Sequence, residues 1–163
     1  MIQGKILISA CLIGNPVRYN GSDLLLDHPL LTKWRDEERL VPICPEVAGG
    51  LPVPRLPAEI QFGDAEKVLD GKAQVLQIDQ SDVTKAFIDG ANKALELALA
   101  THCKVAILTE RSPSCGSSMI FDGTFTNEKI LGIGVTTALL ERNNIRVFNQ
   151  NQLDELDYYL QNN

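Results

Sequence analysis

With 163 residues and a formal net charge of −6, the chain can bury one ordinary core and offers no overall attraction to nucleic-acid phosphates or anionic lipid. Its N-terminal apolar stretch, Ile6 to Ile13, falls far short of the ~20 residues a membrane span requires and lacks the layout of a signal peptide. These features predict a cytoplasmic protein with no membrane partner and no nucleic-acid partner, in which disulfides between the four cysteines are disfavoured.

The apolar run Lys5 to Ala10 predicts a first strand, followed by a Gly14-Asn15-Pro16 loop and the turn-like Tyr19-Asn20-Gly21-Ser22. A helix is predicted over Pro29 to Glu38, with Leu30, Leu31 and Trp34 on one face. Leu40 to Ile43 reads as a second strand, and Pro42 argues for a sheet edge or the strand's first part because proline cannot donate to the ladder. From Cys44 to Pro57 the chain is dense in proline and glycine, a stiff irregular loop of the kind more often functional than incidental.

Glu66 to Val75, broken by Asp70-Gly71, predicts a hairpin with a tight primed turn. Ser81 or Asp82 is positioned to cap the next helix, whose apolar stripe is Phe87, Ala91, Ala94, Leu95, Ala98 and Leu99. Val105 to Thr109 predicts a third strand that opens into Arg111-Ser112-Pro113-Ser114-Cys115-Gly116. Asp122-Gly123 marks an inserted hairpin, Val135 to Arg142 a helix, Ile145 to Phe148 a fourth strand, and Leu153 to Leu160 a short amphipathic helix. The alternation predicts one α/β domain over residues 1–163, a three-layer α/β/α Rossmann-like fold with a mainly parallel sheet and an inserted β-hairpin.

In such a fold ligands gather at the carboxyl ends of the strands. Cys11, Cys44 and Cys115 each follow a predicted strand, so the topology brings them toward one rim. Three soft ligands suit a metal or iron–sulfur site with an open position. A closed structural zinc site wants a fourth protein ligand, and His102 precedes its strand at the opposite end of the sheet. A three-cysteine [4Fe–4S] cluster fits better. Buried thiols are the alternative, free cysteine being among the most buried residue types. Cys103, also ahead of its strand, is assigned to packing.

Glu46 lies two residues beyond Cys44, where partial desolvation beside a cluster would let a carboxylate move protons near neutral pH. An exposed loop glutamate is the plainer reading. Ser112 can donate to a bound ligand, though Ser-Pro-Ser is also ordinary turn chemistry; Arg18, Arg55 and Arg111 are candidates for a carbonyl or phosphate, or for structural pairs. Gly132-Ile133-Gly134 is a weak phosphate signal and a better sign of tight loop-to-helix packing.

Four blocks together resemble the thiouracil desulfidase family: Ser9-Ala10-Cys11-Leu12, Val17-Arg18-Tyr19-Asn20-Gly21, Cys44-Pro45-Glu46-Val47-Ala48-Gly49-Gly50-Leu51 and Thr109-Glu110-Arg111-Ser112-Pro113-Ser114-Cys115-Gly116. Pro52-Val53-Pro54-Arg55, Phe121-Asp122-Gly123-Thr124-Phe125 and Gly132-Ile133-Gly134-Val135-Thr136 extend the likeness over nearly the whole chain. Tyr19-Asn20 departs from a Tyr-Asp pairing associated with the family.

The resemblance implies a [4Fe–4S] cluster ligated by Cys11, Cys44 and Cys115 with one open iron, Glu46 as catalytic acid/base and Ser112 as a polar partner. It implies desulfuration of 2-thiouracil-type bases, the open iron taking the sulfur; the mechanism expected is a non-redox exchange of sulfur for oxygen, with a small thiolated base or nucleoside and a sulfide acceptor as the expected partners. The rival expectation is a cluster-bearing sulfur carrier or sensor that turns over no heterocycle.

Overall fold

The computed structural model describes residues 2–163. Its centre is a four-stranded parallel sheet in the order β2 (Leu40–Ile43), β1 (Ile6–Ser9), β5 (Val105–Ile107), β8 (Arg146–Phe148). Register pairs Ile6 with both Leu40 and Val105, and Ile107 with Phe148. Every residue of β1 and β5 is buried, as expected of interior strands covered on both faces. Pro42 sits on the edge strand, where its missing N–H leaves no central ladder bond unmade.

The pleat sends Ile6, Ile8, Val105 and Ile107 to one face, where they pack with Leu31 and Trp34 of α1 (Pro29–Asp36) and with Leu153, Leu156 and Leu160 of α6 (Leu153–Asn162). Leu7, Ala106 and Leu108 face the other way, onto Ala94 and Ala98 of α4 (Thr84–Ala100) and Leu140 of α5 (Val135–Arg142). This is the three-layer arrangement expected from the alternation. The helix that follows β1 covers one face and the helix that follows β5 covers the other. The crevice between these neighbouring strands is therefore a topological switch point, the usual ligand site of an open α/β sheet.

Several local expectations are corrected. Glu66 to Val75 is not a hairpin. Asp64 accepts the Lys67 N–H at 3.0 Å and starts a short helix, α3 (Ala65–Leu69), so Asp70-Gly71 ends a helix instead of joining two strands. The strand that follows, β4 (Gln74–Gln77), pairs antiparallel with β3 (Ala58–Gln61), a strand hidden just after the proline-rich loop. Asp82 accepts the Thr84 N–H at 2.8 Å, but the N-cap itself is Val83, and Leu99 leaves the apolar stripe for solvent. The expected inserted hairpin does form around Asp122-Gly123, from β6 (Met119–Phe121) and β7 (Lys129–Leu131).

The proline-rich loop also holds a helical turn, α2 (Pro45–Ala48), capped by Cys44. It seats directly on α4: a Cβ at Gly90 would overlap the Pro45 carbonyl, and one at Gly49 would overlap the Ala86 carbonyl. Two glycines thus allow backbone-to-backbone approach and fix the depth of the segment carrying Cys44 and Glu46. Gly90→Ala is expected to destabilise the fold by about 1–3 kcal/mol, as overpacking does, and to lower activity together with the melting temperature. A thermal melt beside a turnover assay checks both.

Candidate functional site

A cavity of about 670 Å³ opens at the carboxyl ends of β1, β2 and β5, within the ~300–1,000 Å³ typical of small-molecule sites. Its lining includes Cys11, Cys44, Cys115, Glu46 and Ser112, five residues that arrive from three separate stretches of chain. Cys11 lies on the 3-10 turn Ala10–Ile13 that continues β1, Cys44 at the start of α2, and Cys115 in the loop after β5. Cys103 is buried against Leu7, Ala106 and Leu140 and takes no part in this wall, as its place ahead of β5 predicts. Neither histidine reaches the cavity; His28 caps α1 through Nδ1, which accepts the Leu30 N–H at 3.1 Å.

Burial pushes all three cavity thiols above their ordinary value. The Thr109 hydroxyl, 3.0 Å from the Cys11 sulfur, works the other way, and the charges of the neighbouring thiols add to the rise at Cys11 and Cys115. At Cys44 the backbone N–H groups of Val47 and Glu46 and the Arg55 cation favour the thiolate against burial and the Glu46 charge. The three sulfurs therefore lie within electrostatic reach of one another.

Among the described residues, no three His, Cys, Asp or Glu side chains are grouped tightly enough for a single metal ion. One tetrahedral zinc would draw its sulfurs to within about 3.8 Å of each other. A multinuclear cluster, whose thiolates bind different irons, asks for wider spacing. Three soft, desolvated donors whose charges oppose each other suit such a cluster, because its cationic irons stabilise the thiolates that burial disfavours.

Glu46 is only part-buried in the wall. Its Oε1 meets Arg55 Nε at 3.1 Å, and its Oε2 accepts from the Ser112 hydroxyl at 3.4 Å. Arg55, with its side chain 3% exposed, also donates to the carbonyls of Val17 and Pro52 at 3.0 and 3.2 Å. Of the candidate arginines, then, Arg55 is a structural pair that aims Glu46, Arg18 lies over the Tyr19 ring, and Arg111 is exposed at the cavity edge. The Ser112 oxygen accepts the backbone N–H groups of Ser114 and Cys115, each at 3.1 Å, so one hydroxyl ties the carboxylate to the cysteine loop.

The packing of Gly134 matches the expectation for the Gly-Ile-Gly segment. A Cβ there would overlap the Ser114 carbonyl group and lie 2.7 Å from the Cys115 nitrogen, so the start of α5 presses against the cysteine loop.

Sequence reasoning missed Glu110, which organises this loop. Its Oε1 accepts the N–H groups of Arg111, Ser117, Ser118 and Met119, while Oε2 accepts from Ser118 Oγ at 2.6 Å and Asn149 Nδ2 at 2.7 Å. The loop bends through Arg111 at φ +73°, a left-handed conformation that costs a non-glycine residue energy and persists because Glu110 holds both sides of it. Burial alone would raise the Glu110 pKa, but the hydroxyl and backbone hydrogen bonds prevail and bring it down to about 2.

The unfolded chain therefore takes up this proton near the ordinary 4.5, and the folded one only near 2. The contribution to stability is whole above the ordinary range and is lost as pH falls toward about 2. Urea titrations between pH 7 and pH 3 should show wild type losing more stability than Glu110→Gln; equal losses would contradict the assignment.

A family profile described as 2-thiouracil desulfurase matches residues 6–152. The uncharacterized protein YbbK of Bacillus subtilis (strain 168) is 44% identical over 151 residues, 93% of this chain and 99% of that protein. A solved structure titled [4Fe-4S]-dependent thiouracil desulfidase TudS superposes with a TM-score of 0.89 at 44% identity, covering 98% of this chain and 99% of that one.

Proposed function

The chain belongs to the 2-thiouracil desulfurase family, and from that premise we propose that it hydrolyses the thiocarbonyl of a small 2-thiouracil-type base with the help of a [4Fe–4S] cluster. Cys11, Cys44 and Cys115 would hold the cluster. The reaction balances without an electron donor: a C=S group and water become C=O and hydrogen sulfide. The observation that carries the reading is the convergence of these three thiols with Glu46 on one cavity at the switch point.

Held by these three thiolates, the cluster would supply a soft Lewis acid matched to sulfur. The rest falls to the chain. The Glu46 carboxylate is the general base: it takes a proton from the water that adds to the thiocarbonyl carbon and returns it as the C–S bond breaks. Arg55 Nε and the Ser112 hydroxyl occupy one oxygen each and fix the plane of that carboxylate. The Ser112 link to the Cys115 N–H keeps base and cysteine loop in register. Phe121, Phe125 and Ile78 line the cavity with apolar surface suited to a flat heterocycle.

Anaerobically reconstituted protein, incubated with excess 2-thiouracil, should release uracil and sulfide over many turnovers. One sulfur taken up per cluster, with no accumulation of uracil, would replace the enzyme with a sulfur carrier.

A further inference from the structure

Three carboxylates line the cavity, and two are accounted for: Glu46 faces the reaction, and Glu110 spends both oxygens on the cysteine loop and Asn149. The third is Glu59 on β3, 7% exposed. It forms no ion pair among the described residues. Its Oε1 accepts the N–H groups of Gly123 at 2.8 Å and Phe125 at 3.2 Å, which latches the tip of the β6–β7 hairpin to β3. Gln61 completes the latch by donating to the Gly123 carbonyl at 2.6 Å.

Oε2 of Glu59 has no protein donor. It is not sealed in the core either, since the one fully enclosed side-chain polar atom without a partner among the described residues is Trp34 Nε1. The free oxygen therefore has an open side, and Glu59 lines the cavity together with Phe121, Phe125 and Asn127. A carboxylate oxygen with no protein donor and one open side is a ready acceptor, and covering it with a ligand that brings no donor is costly.

The substrate class of the preceding subsection carries that donor. In a 2-thiouracil-type ring the thiocarbonyl carbon is flanked by two ring N–H groups. Resting on that reading, we propose that Glu59 Oε2 accepts one of them, so that Glu59 selects cyclic thioamides with a free N–H beside the C=S group over N-alkylated ones. The specificity is of the strict kind. A site built around a charged acceptor penalises a ligand lacking the donor, because the acceptor is then left buried and unpaired.

Glu59→Gln separates this role from the latch. The amide oxygen still accepts from Gly123 and Phe125, while the cavity-facing edge changes from acceptor to donor. Binding of uracil and 1,3-dimethyluracil to the cluster-loaded protein, followed by calorimetry, reads the interaction without turnover. Wild type should bind uracil about 10- to 100-fold more tightly than the dimethyl form, and the preference should collapse to within about threefold in Glu59→Gln with an unchanged melting temperature. Equal binding of the two ligands by wild type, or a preference of the same size in the variant, overturns the proposal.

The monomethyl ligands identify the nitrogen: a penalty confined to 1-methyluracil marks free bases, and one confined to 3-methyluracil admits nucleosides. Absence of uracil production from 2-thiouracil would defeat the desulfuration reading and leave this binding result to stand or fall by itself.

Discussion

Glu46→Gln is expected to keep its iron and acid-labile sulfide and to lose turnover by about 10²- to 10⁴-fold, the usual contribution of a general base. The amide oxygen can still accept from Arg55, which keeps the side chain in its place, while the amide NH2 on the other edge no longer accepts from Ser112. It cannot take a proton from water. The substitution also removes the counter-charge of a guanidinium whose side chain is only 3% exposed. Breaking a buried pair from one side costs up to about 3–5 kcal/mol, here reduced by the Val17 and Pro52 carbonyls that Arg55 already holds. Activity is therefore compared per assembled cluster and below the variant's own melting transition. Turnover near the wild-type rate would remove Glu46 from the proton-transfer role.

Replacing Cys11, Cys44 or Cys115 with alanine should each abolish cluster content and turnover, whereas Cys103→Ala should retain both and cost about 1 kcal/mol of stability. Iron and sulfide analysis of the four variants, reconstituted anaerobically, checks the set. The contrast tests position, because all four residues are free cysteines and three of them are buried. What separates Cys103 is the end of the sheet at which it stands. Retention of iron in Cys115→Ala, or its loss in Cys103→Ala, would contradict the ligand assignment.

Loading should also depend on pH in a stated direction. Burial raises all three thiols, and neighbouring thiols add to the rise at Cys11 and Cys115, so they enter the complex protonated near neutrality and must release their protons to bind metal. Apparent affinity for iron should rise with pH and fall on acidification.

Much of the architecture was legible in the chain. The strands around Ile6 and Val105 stand out because interior parallel strands are apolar on both faces, and Pro42 marks an edge because it has no N–H to share. The Asp-Gly signal was legible only half the time. Asp122-Gly123 does turn a hairpin, but Asp70-Gly71 closes a helix begun by Asp64, and the positive φ of Gly71 serves a helix end as well as a hairpin turn. Local chemistry cannot distinguish the two; the partner strand β3, well before it in the chain, does.

Periodicity and turn chemistry determined a parallel α/β core with Cys11, Cys44 and Cys115 just past its strands, because strand direction and the placement of loops follow from local pattern and crossover handedness. Tertiary structure alone decided what surrounds them. Arg55 meets Glu46, Ser112 bridges to Cys115, Glu110 gathers its loop, and Glu59 latches the hairpin tip to β3, all through contacts between residues distant in the chain or through loop geometry that no spacing records. The physical reason is range. Backbone preference acts over a few residues, whereas the direction of a carboxylate and the donors left for it are set by whichever segments the packed core brings alongside.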